Sequence, residues 1–333
     1  MIVRALLGVA VVLATTHDSF ALTRLVTHDR QLVNAWGLAA SATGPWWVSN
    51  EASDTSTLYD ARGHRQALTV RVDGGPTGVV FNGGGGFVVW GGGRVAPARF
   101  IYACEDGAIR AWSPTVPTGW SAEAVVAVDP GPTGALYRGL TLSHGRLYAA
   151  DFHNDRVVVF DSRWRPVRLH RGAFADPALP EWYSPFNVAA FGGRIFVSFA
   201  SPAPVNGNDA PTGGYVDEFD RDGRLVARVA RPGQLNEPWG LALAPRGFGR
   251  YGGDLLVASF GSGRIAAYER HGAGWRLAGR LPVRVPGVWG IAFGRGGMSG
   301  PRTTLFYAAG PHRWRGASEV AVRGELGSIA PSG

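Results

Sequence analysis

A short apolar segment that opens on an aromatic residue or a proline, and usually carries a glycine, recurs six times along this chain. The copies are Ala35-Trp36-Gly37-Leu38, Pro76-Thr77-Gly78-Val79, Tyr137-Arg138-Gly139-Leu140, Pro185-Phe186-Asn187-Val188, Pro238-Trp239-Gly240-Leu241 and Val288-Trp289-Gly290-Ile291. They fall at intervals of roughly fifty residues, the period of a four-stranded unit in a radial array. After each anchor comes a second segment of β-formers: Pro45 to Ser49, Phe100 to Cys104, Arg146 to Ala150, Arg194 to Phe199, Asp254 to Ser259 and Thr304 to Ala308. A third follows in several copies and ends on an aromatic residue with an acidic turn, as in Leu58-Tyr59-Asp60 with Gly63 and Glu218-Phe219-Asp220 with Gly223. Asp and Gly at such places supply the side-chain hydrogen bonds and positive φ that hairpins need. Ala67 to Val72 and Leu225 to Ala230 read as fourth strands.

The repeat predicts an all-β fold, a six-bladed β-propeller of four-stranded blades. No helical period of useful length follows the first twenty residues, which excludes a barrel of alternating strands and helices. A pair of β-sandwiches would not generate six similar units. The last unit runs out near Ile329 with three strands, while Leu22 to Thr27 is a spare strand at the other end. Pairing of the two is expected to close the ring.

Composition agrees. The 49 glycines and 22 prolines suit many tight turns and few helices, and 45% hydrophobic residues suffice for a large core. The net charge of +8 comes entirely from arginine, since the chain has no lysine. These arginines alternate singly with apolar residues, as in Val70-Arg71-Val72, so no nucleic-acid partner is expected. Without lysine there is no Schiff-base chemistry and no P-loop. The lone cysteine, Cys104, lies inside an apolar strand and reads as a small buried hydrophobe.

The N-terminus has the features of an export signal. Arg4 precedes an apolar run from Ala5 to Ala14, and Ser19-Phe20-Ala21 is a small-x-small cleavage site. The expected division is a signal peptide over 1–21, the propeller over 22–329 and a short tail over 330–333. The mature protein is expected to be periplasmic or extracellular, with no membrane span.

Several runs resemble a family of uncharacterised exported bacterial propellers. They include Leu32-Val33-Asn34-Ala35-Trp36-Gly37-Leu38, Leu147-Tyr148-Ala149-Ala150-Asp151-Phe152-His153-Asn154 and Asn236-Glu237-Pro238-Trp239-Gly240-Leu241. The resemblance extends from Leu22 to about Ile329 and implies fold and export, with no activity, substrate or cofactor attached. More remotely the blades resemble NHL-type six-bladed propellers, which include lactonases, lyases and pure binding modules.

In a four-stranded blade, the loop before the inner strand and the hairpin between the second and third strands emerge on one face. The polar residues at these places are the ligand-binding candidates: Asn34, Arg138, Asn187 and Glu237 before or at inner strands, and Asn50, Glu51, Glu105, Asp106, Asp151, His153, Asn154 and His312 after second strands. Of these, Glu51, Glu105, Asp151, His153 and Glu237 form a candidate metal set, because clustered carboxylates suit calcium or another divalent cation. The same residue types are also what hairpins select for their own backbone. Trp36, Trp239 and Trp289 are expected to pack between blades, with stacking on a ligand at the mouth as the alternative. The glycine-rich stretch from Gly83 to Arg99 reads as a surface loop. Asp220-Arg221-Asp222-Gly223 lacks the downstream glutamate of a calcium loop.

No serine-hydrolase elbow, zinc-protease motif or paired-cysteine metal motif is present. Three readings stand. The first is an exported binding propeller that presents one polar face to a small molecule, glycan or protein. The second is a metal-dependent hydrolase or lactonase acting at the mouth, and the third is a structural envelope or matrix protein.

Overall fold

The structure is a computed structural model that describes residues 19–129, 131–201, 213–310, 312–315, 318–321 and 323–332. The expected signal peptide lies largely outside the described residues. Six antiparallel sheets form the blades of a propeller. Blade 1 runs outward from the axis through Ala35–Ala40, Trp46–Asn50, Thr55–Tyr59 and Arg65–Arg71. Blade 2 has the inner strand Pro76–Phe81, followed by Phe100–Cys104, Ile109–Trp112 and Val125–Val128. Blades 4 and 5 repeat the pattern from Ser184–Phe191 and Pro238–Leu243.

Blade 6 closes the ring. Its inner strands, Val288–Phe293 and Leu305–Ala309, are followed by Glu325–Ser332, on which the N-terminal strand Ser19–Val26 pairs antiparallel from Ser19↔Ser332 to Val26↔Leu326. The first and last strands thus belong to one sheet, as expected. Both reach a little beyond Leu22 and Ile329, and Phe20 packs on Phe248 and Tyr251, with ring centroids 5.1 and 5.8 Å apart.

Blade 3 differs from the others. It has Tyr137–Ser143, Arg146–Asp151 and Arg156–Asp161, and no fourth strand among the described residues. The stretch from Gly83 to Arg99 is likewise more than a surface loop. It contains a hairpin, Val88–Gly91 with Arg94–Pro97, and Phe87 and Val89 bury their side chains in the junction with blade 3.

Apolar side chains separate into six clusters, one at each junction between neighbouring blades, and a seventh on the axis. This is why no blade is stable alone: each sheet face finds its apolar partner only on the next blade.

The anchors make the hub. In all six, the register of the inner strand shifts at the anchor, forming a β-bulge. A bulge re-aims one side chain. The anchor glycines let inner strands approach across the hub: a Cβ on Gly37 would lie 2.7 Å from the Thr77 carbonyl oxygen, and one on Gly78 would lie 3.0 Å from Gly139 Cα. Blade 4 has Asn187 in place of glycine, and its Nδ2 donates to the Trp239 carbonyl at 2.7 Å.

Candidate functional site

The residues at the six bulges are Trp36, Thr77, Arg138, Phe186, Trp239 and Trp289, one from each blade. The four aromatic side chains turn to the axis and form the seventh apolar cluster, with Phe152 and Phe260 packed against it. Phe260, Trp289 and Trp36 form a three-ring stack with centroid separations of 3.8 and 3.7 Å. Trp239 and Phe186 meet the stack edge-on. The tryptophans therefore pack on one another across the axis and not between blades, because a bulged residue leaves the blade face. Below them, a cavity of about 190 Å³ runs between the inner strands.

Arg138 is the cationic member of the ring. Its guanidinium lies 5.3 Å from the Trp36 centroid and 5.6 Å from that of Phe152, and it forms an ion pair with Glu105. Cation–π contact and carboxylate together hold a charge over an apolar surface.

The wall of the mouth is built by a repeated backbone clamp. The N–H groups of Glu51, Glu105, Phe152, Phe260 and Gly310 donate to the carbonyls of Asn34, Gly75, Leu136, Glu237 and Gly287 at 2.8 to 3.2 Å. Each clamp ties the end of a second strand to the start of its inner strand, so the two expected sets of loops do share one face. Glu51 and Glu105 come from adjacent blades and flank Gly75, where a Cβ would lie 3.6 Å from Glu51 Oε1 and 3.4 Å from the Glu105 side chain. Asn34 Nδ2 donates to Glu51 Oε2 at 2.6 Å, and Asn34 Oδ1 accepts from Trp289 Nε1 at 3.2 Å. Glu237 takes a left-handed conformation, φ 53°, unusual for a non-glycine residue. Gly261 leaves room for its carboxylate.

The other candidates turn elsewhere. Asn50 is buried within blade 1, where Nδ2 donates to Thr55 and Thr57. Asp106 organises its own turn, accepting from the Ala108 N–H and from Arg110. Asp151 is buried and accepts from the N–H of Leu136, the Asn154 side chain and Arg156, so Asp151 and Asn154 serve the hairpin of blade 3. His153 is exposed beside Gly134, and Asn187 is a hub residue. His312 begins the strand His312–Arg315.

Among the described residues, no three His, Cys, Asp or Glu side chains come together as a metal site. Of the candidate metal set, Asp151 is consumed by its own turn, His153 is exposed beside Gly134, Glu237 places its carboxylate against Gly261, and Glu51 and Glu105 flank Gly75. Cys104 is fully buried and burial pushes its thiol up to about 12, so it is no thiolate nucleophile. No described helix is long and apolar enough to cross a membrane.

Among the described residues, this face therefore has an aromatic floor across the axis, with Glu51, Glu105 and Arg138 beside it. The sequence signal that could have found Phe186, Phe152 and Phe260 is the second position of each anchor and the residue after each second strand.

No family model matches the chain. An uncharacterised protein of Acanthamoeba polyphaga mimivirus is 32% identical over 284 residues, covering 79% of this chain and 69% of the viral protein. A second uncharacterised protein of the same virus is 30% identical over 282 residues, covering 79% of this chain and 74% of its own length. These relatives are viral, whereas the sequence resemblance pointed to bacterial proteins. In fold the chain is similar to a streptogramin B lyase, with a TM-score of 0.56 at 11% identity over 94% of this chain and 98% of the lyase.

Proposed function

From the premise that the chain belongs to the propeller family of these two mimivirus proteins, we propose that it is a binding propeller whose mouth takes a neutral, hydroxylated ring such as a sugar unit of a glycan. The supporting observation is the aromatic floor across the axis, with the partly buried Phe152 and Phe260 packed against the tryptophans and Glu51, Glu105 and Arg138 beside them. An aromatic surface stacks on the apolar face of a sugar ring, while a few fixed polar groups orient its hydroxyls. A cationic ligand fits less well, since Arg138 already occupies the place between the rings and Glu105. Export is part of the proposal and rests on Arg4, the Ala5 to Ala14 run and Ser19-Phe20-Ala21.

Calorimetric titration with a panel of neutral oligosaccharides and polyols tests the reading. At least one member is expected to bind, with Phe260→Ala weakening it about ten-fold or more and Glu105→Gln weakening it less. Absence of binding across the panel, or binding indifferent to Phe260→Ala, would refute it.

A further inference from the structure

The open edge of blade 3 has a geometry the other blades lack. After Asp161 the chain turns and begins a fourth strand: the Asp161 N–H donates to the Arg165 carbonyl at 2.9 Å, Val167 N–H donates to the Val159 carbonyl at 2.7 Å, and Phe160 and Pro166 form a single antiparallel bridge. The strand then stops, and the chain leaves the sheet. Alternation along a strand places the N–H and C=O of Val157 on the same outer side as those of Val159 and Asp161. Beside Val157 the place of the missing strand is a groove of about 550 Å³, walled by Val158, Leu169, His170, Val128 and Asp129.

The charged residues of the groove wall are Asp129 and Arg156, and the segment that supplies Pro166, Val167, Leu169 and His170 to that wall is strongly basic. Between Ser162 and Arg171 there are four arginines, Arg163, Arg165, Arg168 and Arg171, and no acidic residue. All four are exposed, and none makes a salt bridge among the described residues. The nearby carboxylates are engaged locally: Asp161 accepts from the N–H groups of Arg163 and Arg165, and Asp129 from that of Gly131. An unpaired ladder edge recognises extended backbone, and the surrounding charge selects its sign.

We propose that this edge docks an extended acidic segment of another protein, which adds antiparallel to Val157 as the missing fourth strand of blade 3. Strand pairing favours a peptide over a nucleic acid, because a polynucleotide offers no alternating amide ladder.

The test uses the whole protein and two sets of blocked octapeptides. In one, Glu or Asp alternates with Val, Ile, Thr or Tyr; in the other, Arg or Lys replaces the acids. Members of the acidic set are expected to bind about ten-fold or more tightly than their sign-reversed counterparts and to slow hydrogen exchange at the Val157 amide. The exposed double change Arg168→Glu with Arg171→Glu is expected to weaken binding about ten-fold while leaving the fold intact. The proposal is overturned if no acidic peptide protects the Val157 amide, or if the two sets bind equally. It is also overturned if oligo-dT binds this face while the peptides do not. Concentration-dependent protection without peptide would show a second copy of the chain as the occupant, and would likewise overturn it.

Discussion

Replacing Trp36 or Trp289 by phenylalanine trims the same atoms from the same stack, yet the two changes are expected to differ. Among the described residues Trp36 Nε1 is buried with no hydrogen-bond partner, whereas Trp289 Nε1 donates to Asn34 Oδ1. Trp289→Phe leaves a buried acceptor short of a donor and is expected to cost about 1 kcal/mol more than Trp36→Phe in urea unfolding. Equal costs would mean that the Asn34 contact does nothing. Asp217 is buried and its carboxyl is raised to about 7, chiefly by burial and against the pull of Arg228, with the carboxyl of Asp176 adding to the rise. A raised carboxyl means the folded state holds the proton more tightly than the unfolded chain does. The stabilisation is therefore complete below the unfolded value of about 3.9 and fades as pH climbs through about 7. Asp217→Asn is expected to flatten this decline, so its stability relative to the parent should rise between pH 5 and pH 8, read by chemical unfolding at each pH. A parallel decline in both proteins would contradict the assignment.

Elements were legible in the sequence to different depths, for physical reasons. The anchors stood out because a hub imposes the same constraint six times: Gly240, like Gly37, is needed because a Cβ there would fall on the Trp289 carbonyl of the next blade. Gly240→Ala is accordingly expected to destabilise by about 2 kcal/mol or more, measured by thermal unfolding, since backbone cannot yield as a side chain does. What sequence did not disclose is where the bulge falls within each anchor, and with it which residue faces the axis. Asp151 ends its second strand, as Asn50 does, and folds back into its turn, whereas Glu51 stands one place later, with Phe152, and lies at the mouth; residue type alone does not mark that one-residue difference. The missing strand of blade 3 was hidden for a related reason, because Pro166-Val167-Arg168-Leu169 has the alternation of a strand and begins as one. Between blades 4 and 5 the fully buried Glu218 accepts from Arg270 at 2.5 Å and Trp275 Nε1 at 2.9 Å. Glu218→Ala is expected to cost about 3 kcal/mol by leaving those donors without their carboxylate. A cost under about 1 kcal/mol would place the tie between these blades in packing alone.

At the scale of the whole molecule, closure depends on a strand from each end of the chain. A chain beginning at Leu22 lacks Phe20 and its contacts with Phe248 and Tyr251, and is expected to melt below one beginning at Ser19. Identical melting would show that closure needs only the pairs from Leu22 onward. Six bulged anchors shut the axis with an aromatic floor under one face. A high-resolution crystallographic map of the hub, from crystals soaked in oligosaccharide, tests it most directly. The expected map has unbroken side-chain density of Trp36, Phe186, Trp239 and Trp289 across the axis, with ligand only above it. A tunnel of ordered water from face to face, or sugar below the tryptophans, would contradict the account.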